Sequence, residues 1–187
     1  MHIEKTDIPG VLILAPRRFG DARGHFEETW HAGRLAEAGI DLHFVQDNQS
    51  LSREAGTLRG LHFQSPPHAQ AKLVRCVTGA LLDVAVDMRD GSPTFGQWVG
   101  ADLTGENGAQ LLVPEGCLHG FVTRLPDTIV AYKCTDVYAP ECEGAVRWDD
   151  PDLAIDWGVD APILSNKDAA AGRFTDLVTP FRWEGRA

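Results

Sequence analysis

The stretch GAQLLVPEGCLHGFV, residues 108–122, decides how the rest of the chain is read. It contains the apolar, strand-like run AQLLVP, then His119 at the head of a second such run, HGFVTRL (119–125). An earlier segment, RGLHFQ (59–64), delivers His62 in the same way. Working outward, the texture repeats. In ALLDVAVDMRD (80–90), Leu82, Val84, Val86 and Met88 alternate with Asp83, Ala85, Asp87 and Arg89, the period of a half-buried strand. Asp90-Gly91-Ser92-Pro93 is a turn, TFGQWVGADL (94–103) a further strand, TGENG (104–108) a second turn and TIVAYKCTDVY (128–138) another strand. Upstream, residues 8–30 read as short strands broken at Pro16 and Gly20–Gly24. Two helices are predicted. FEETWHAGRLAEAG (26–39) sets Trp30, Leu35 and Ala38 on one stripe and ends at Gly39, a natural residue just past a helix end. LSNKDAAAGRF (164–174) is capped by Ser165, with Asp168 at the third helical position. Regular strands with frequent turns predict an all-β-dominated fold, a jelly-roll β-barrel with a few short helices.

The 187 residues suit a single domain, 1–187, with a jelly-roll core over 51–150 and short helices over 151–187. The formal net charge of −10 argues against general affinity for nucleic acid or an anionic membrane, so an anionic ligand requires a local basic pocket. No apolar run approaches the roughly 18–20 residues of a membrane span. MHIEKTDIPG is not followed by the apolar segment of a secretory signal, which points to a cytoplasmic protein. Cys76, Cys117, Cys134 and Cys142 have no metal-site spacing and read as free thiols of a reducing compartment.

His62 and His119 have three candidate roles: metal ligands, acid–base groups, or buried hydrogen-bonding residues. Residues 108–119 fit G-x5-P-x-G-x2-H, which resembles the second signature of the cupin jelly roll. Metal-binding cupins usually add H-x-H and a glutamate in their first signature. Here Gln64 holds the second ligand position, so one good ligand remains per segment, short of the three or four a transition metal needs. No metal is expected. A lone histidine in a strand is ordinarily a satisfied core residue, but these two have company. Alternation puts His62 with Gln64, Lys72 with Val74 and Cys76, His119 with Phe121, and Tyr132 with Cys134. If those faces meet, the barrel mouth holds Arg59, His62, Lys72, His119 and Tyr132, too polar a set for packing alone. Cys117 shares the His119 face without being set against the imidazole and reads as a small buried residue rather than a nucleophile.

Taken together, DARGHFEETW (21–30), FVQDNQS (44–50), LRGLHFQ (58–64), residues 67–98, VPEGCLHGF (113–121), residues 132–157 and LSNKDAAAGRF resemble the dTDP-4-dehydrorhamnose 3,5-epimerase family over most of the chain. The resemblance implies a cofactor-independent, metal-free epimerase on a cupin-like jelly roll. It also implies a homodimer in which N-terminal strands, within residues 1–50, are exchanged between subunits. Carried over residue by residue, it makes His62 the base, paired with Asp168, and Tyr132 the proton donor. Lys72 and His119 lie around the sugar and its carbonyl. Arg23 and Glu28 bind substrate across the dimer, Gln46 and Asn48 the nucleotide, and Arg59 the pyrophosphate. Tyr138 stacks on the base, and Glu143 and Lys167 contact substrate. The implied reaction inverts C3 and C5 of dTDP-4-dehydro-6-deoxy-D-glucose through an enolate. The sequence departs from the family at Gln49, where histidine is common, at Cys117-Leu118, and in TRLPDTIVAYK (123–133). Those departures keep open epimerisation of a single centre in a related nucleotide sugar; a non-catalytic sugar-nucleotide-binding cupin is a more distant alternative, against which the retained His62, Tyr132 and Asp168 argue.

Overall fold

The structure, a computed structural model, describes residues 1–185. Among the described residues thirteen strands are present: β1 His2–Lys5, β2 Leu12–Ala15, β3 Arg18–Asp21, β4 Gly24–Glu27, β5 Gln46–Ser52, β6 Leu58–Gln64 and β7 Lys72–Thr78, then β8 Ala80–Asp87, β9 Trp98–Thr104, β10 Gln110–Val113, β11 Cys117–Thr123, β12 Thr128–Cys134 and β13 Glu143–Ala145. The two short helices are α1 Ala32–Glu37 and α2 Asn166–Ala169. Strands β1-β2-β10-β7-β12-β5 form one antiparallel sheet and β13-β6-β11-β8-β9 another; β3 and β4 make a separate hairpin. The expected jelly roll is therefore present as two sheets face to face, each hydrogen-bonded within itself rather than into one closed cylinder.

Three apolar layers hold it. Between the sheets pack Val74 and Cys76 of β7, Val130 of β12, Leu81 and Ala85 of β8, and Phe121 of β11. The outer face of the five-stranded sheet, with Leu61, Val84, Val86 and Leu118, is covered by Leu153, Trp157 and Phe174 from the C-terminal segment. The outer face of the six-stranded sheet, with Leu14, Leu73 and Leu112, is covered by Leu35 of α1 and by Ile40. Where β6 crosses β11, Gly60 has φ +128°, and a Cβ there would lie 2.5 Å from the Gly120 Cα. Gly60→Ala is expected to cost on the order of 3 kcal/mol, combining a strained backbone with a clash against main chain that cannot rotate away. A denaturant midpoint unchanged from the unaltered protein would show the approach to be looser than this.

Two expectations need correction. ALLDVAVDMRD is not half-buried: Leu81, Asp83, Val84, Ala85, Val86, Asp87 and Met88 are all 0% exposed. The polar side of the alternation faces the space between the sheets, and its carboxylates escape solvent by pairing, Asp83 with His119 and Asp87 with Arg89. The helix expected over 26–39 is only the six residues of α1. Tertiary pairing overrides the helical pattern at its start, because Phe26 and Glu27 are claimed by β4 and register with Phe19 and Arg18. Gly39 does follow the helix end, at φ +84°. The Ser165 cap is as predicted: its hydroxyl accepts from the Asp168 amide at 3.1 Å.

Candidate active site

At one end of the space between the sheets the apolar packing stops and a cavity of about 290 Å³ begins. The same alternation that sends Val74 and Val130 into the core carries Lys72 and Tyr132 to this cavity from the six-stranded sheet, with Gln46 and Asn48 beside them on β5. His62 and Gln64 enter from β6 of the opposite sheet. Tyr138 and Glu143 complete the wall. A second cavity of about 320 Å³ uses the reverse faces of the same strands, with Asp47, Arg75 and Lys133; it touches Tyr132 but holds no histidine, so acid–base chemistry belongs to the first.

His62 is tied to a carboxylate 106 positions away. Its Nε2 lies 2.6 Å from Asp168 Oδ1. Ser165 donates its hydroxyl to Asp168 Oδ2 at 2.9 Å while accepting from the Asp168 amide, so the helix cap also aims the carboxylate. Burial raises the Asp168 carboxyl, but the hydrogen bond and charge of His62, with Ser165 and Lys167, bring it below its ordinary value. It is therefore ionised at neutral pH and can only accept, which places the ring proton of neutral His62 on Nε2 and leaves Nδ1 as the basic atom. Across the cavity, burial pushes the Tyr132 phenol up, against the pull of Arg59, so it keeps its proton. Burial pushes the Lys72 ammonium down, and the acidic groups of Cys134, Asp83 and Glu143 draw it back.

At the mouth, the Tyr138 hydroxyl donates to Glu143 Oε2 at 2.8 Å, and Lys167 Nζ lies 2.5 Å from Glu143 Oε1. Gln46 accepts from the Tyr138 amide at 2.9 Å and donates to Asn48 at 3.1 Å. Gln64, at the position where a metal-binding cupin places a ligand, is 4% exposed. It donates to the His68 and Val137 carbonyls and accepts from the Ala139 amide, so its side chain brackets main chain. Among the described residues, no group of three or more histidines, cysteines or acids is arranged to hold a metal ion.

The predicted set is thus assembled unevenly. His62, Lys72, Tyr132, Gln46, Asn48, Tyr138 and Glu143 line one cavity, with Asp168 and Lys167 bonded to its wall. His119 is 7% exposed and bonded to Asp83, adjacent to the lining rather than part of it. Arg59 runs along Ser52 and Leu51 beside Tyr132. Arg23 and Glu28 lie outside this cavity, bonded to Asp21 and Arg34, and the Arg23 side chain is 89% exposed. Cys117 and Leu118 sit in two different apolar layers and do not line the cavity, so they do not shape its wall; burial pushes the Cys117 thiol up to about 12, consistent with a packing residue. All four cysteines are free and buried. Sequence reasoning missed Gln64 as a backbone bracket, Gln70 in the lining, and Asp83. The signal for Asp83 was its alternation with Leu82 and Val84 onto the face shared with Ala85.

A histidine–carboxylate pair and a protonated phenol, entering one cavity from opposite sheets of a jelly roll, define a proton-transferring isomerase site. The family model for dTDP-4-dehydrorhamnose 3,5-epimerase matches residues 5–176, and the chain belongs to that family. It is 51% identical over 173 residues to the dTDP-4-dehydrorhamnose 3,5-epimerase of Salmonella typhimurium, covering 91% of this chain and 94% of that one. The crystal structure of dTDP-6-deoxy-D-glucose-3,5-epimerase from Legionella pneumophila, in complex with dTDP-4-keto-L-rhamnose, is 46% identical with a TM-score of 0.94, over 98% and 99% of the two chains. A 3′-monoepimerase from Streptomyces bikiniensis in complex with dTDP-quinovose is also similar, at 36% identity and a TM-score of 0.87, over 92% of this chain and 87% of that one. Among the described residues no helix is long and apolar enough to cross a membrane.

Proposed function

We propose that the chain inverts C3 and C5 of dTDP-4-dehydro-6-deoxy-D-glucose to give dTDP-4-dehydro-L-rhamnose, as a single-domain subunit of a cytoplasmic homodimer. The observation that carries this reading is the position of base and acid on facing sheets: the His62–Asp168 pair on one side of the cavity, Tyr132 on the other. Epimerisation removes a proton from one face of a carbon and returns one to the other, so it needs such an opposed pair. Binding alone does not.

The C4 ketone acidifies the C3 and C5 protons. His62 Nδ1 takes one, and the electron pair of the C–H bond moves into an enolate whose charge lies on the C4 oxygen. Asp168 stabilises the imidazolium that results. Lys72 donates to the enolate oxygen, and loss of such a donor costs about 10²–10³ in rate. Tyr132 delivers its proton to the opposite face of the carbon, and solvent restores both groups. Arg59, with Arg23 of the partner subunit, offers forked donors to the pyrophosphate within an otherwise acidic protein. The Tyr138 ring, anchored through its hydroxyl to Glu143, stacks on the base; Gln46 and Asn48 bind the nucleotide, and Glu28 acts across the dimer.

The test is turnover of dTDP-4-dehydro-6-deoxy-D-glucose in D₂O, read by NMR at each carbon. Deuterium at both C3 and C5, with the L-sugar trapped by a reductase, is the expected result. Deuterium at one carbon would make this a single-centre epimerase, and none at either would remove the reading.

A further inference from the structure

The mechanism above leaves a second histidine–carboxylate pair unused. His119 and His62 are directly opposed residues of neighbouring strands β11 and β6. From the other side of β11, β8 sets Asp83 Oδ1 2.8 Å from His119 Nε2. Asp83 is 0% exposed, and its Oδ2 is one of two buried side-chain polar atoms without a hydrogen-bond partner among the described residues, the other being Ser50 Oγ. A carboxylate shut away from water with one partner is costly unless positive charge stands nearby to balance it. The group that can supply it is Lys72, whose side-chain nitrogen has no hydrogen bond or ion pair among the described residues and faces the cavity. Resting on the epimerase reading, we propose that Asp83 is a positioning residue of the reaction, orienting His119 through Nε2 and setting a buried negative charge in the inter-sheet space that Lys72 faces.

The electrostatics agree. Burial works against the Lys72 charge, and Cys134, Asp83 and Glu143 work for it. Cys134 is itself pushed up by burial and stays a neutral thiol, so of the remaining groups Asp83 acts most strongly on Lys72. The other titratable groups lining the cavity with Lys72 are Tyr132 and Tyr138, both pushed up, and His62 from the facing sheet, with His119 opposite His62 on β11. Neither histidine supplies negative charge, and the other nearby carboxylate, Glu143, is already held by Tyr138 and Lys167, so Asp83 comes first.

Asp83→Asn in the full-length enzyme tests this, because the shape is kept and the charge removed. The expected result is a fall in kcat of about 10²–10³, with KM nearly unchanged since Asp83 does not line the cavity. The alkaline limb of the kcat profile moves to lower pH, because Lys72 without Asp83 loses its proton earlier. Undiminished kcat, or a fall with the alkaline limb in place, would overturn the assignment and leave Asp83 a structural residue. Should the variant not fold, ¹⁵N NMR of the unaltered enzyme decides: a proton on His119 Nε2 is expected, and one confined to Nδ1 would overturn it. The unaltered enzyme is assayed alongside by deuterium uptake; no uptake there would remove the epimerase reading and this inference together, whereas normal uptake confines any failure to Asp83.

Discussion

Replacement of His62 by alanine is expected to lower kcat by at least about 10³–10⁴, at the upper end of what a positioned general base contributes. That loss corresponds to roughly 4–5.5 kcal/mol of transition-state stabilisation. Nucleotide binding should survive, because Gln46, Asn48 and Tyr138 are held by each other and by Glu143 rather than by His62. The variant removes the ring hydrogen-bonded to Asp168, leaving a 3% exposed carboxylate with only the Ser165 hydroxyl bonded to it. His62→Asn is therefore the companion variant: its amide can still donate toward Asp168 but cannot act as a base. If alanine and asparagine both abolish turnover while calorimetry still shows dTDP binding, the histidine acts in the chemistry. Restoration of turnover by asparagine would reduce His62 to a hydrogen-bonding strut.

Tyr132→Phe separates the two halves of the reaction. Phenylalanine keeps the ring, and the tyrosine hydroxyl makes no hydrogen bond among the described residues, so the fold should not register the change. Proton removal by His62 remains, and the imidazolium exchanges its proton with solvent. The enolate can then be reprotonated only from the face it came from. In D₂O the substrate should take up deuterium at a rate within about tenfold of the unaltered enzyme, while inversion falls by 10² or more, on the order of what a positioned acid supplies. The phenol is suited to this role because burial keeps it protonated across the neutral range. Equal loss of exchange and inversion would mean that Tyr132 supports the first proton transfer as well, and that the two-sided assignment is wrong.

Much of this was legible before any fold was known, because strand alternation is a local property. Val74 and Cys76 had to share a face with Lys72, and Cys134 with Tyr132, whichever strands lay beside them. The Ser165–Asp168 cap was equally readable, since a hydroxyl three residues before an amide closes a bond without help from elsewhere. Gln64 already argued against a metal ligand at its position. The roles of Asp168, Arg23 and Glu28 came only from resemblance to a family, since nothing local links position 168 to His62.

What the tertiary structure decided was which face is covered and which distant group completes each partner. ALLDVAVDMRD has the pattern of a strand with one wet side. It is dry on both sides because the C-terminal segment with Leu153, Trp157 and Phe174 covers the apolar face, and the opposing sheet covers the other. FEETW has the composition of a helix start, yet its first residues pair in a hairpin with Arg18 and Phe19. The basic nitrogen of His62 was likewise undecided until Asp168 took the other one. Periodicity records how a side chain is directed along its own strand; burial and pairing depend on which remote segment arrives there. The sequence by itself therefore determined the faces, and the tertiary structure determined the partners.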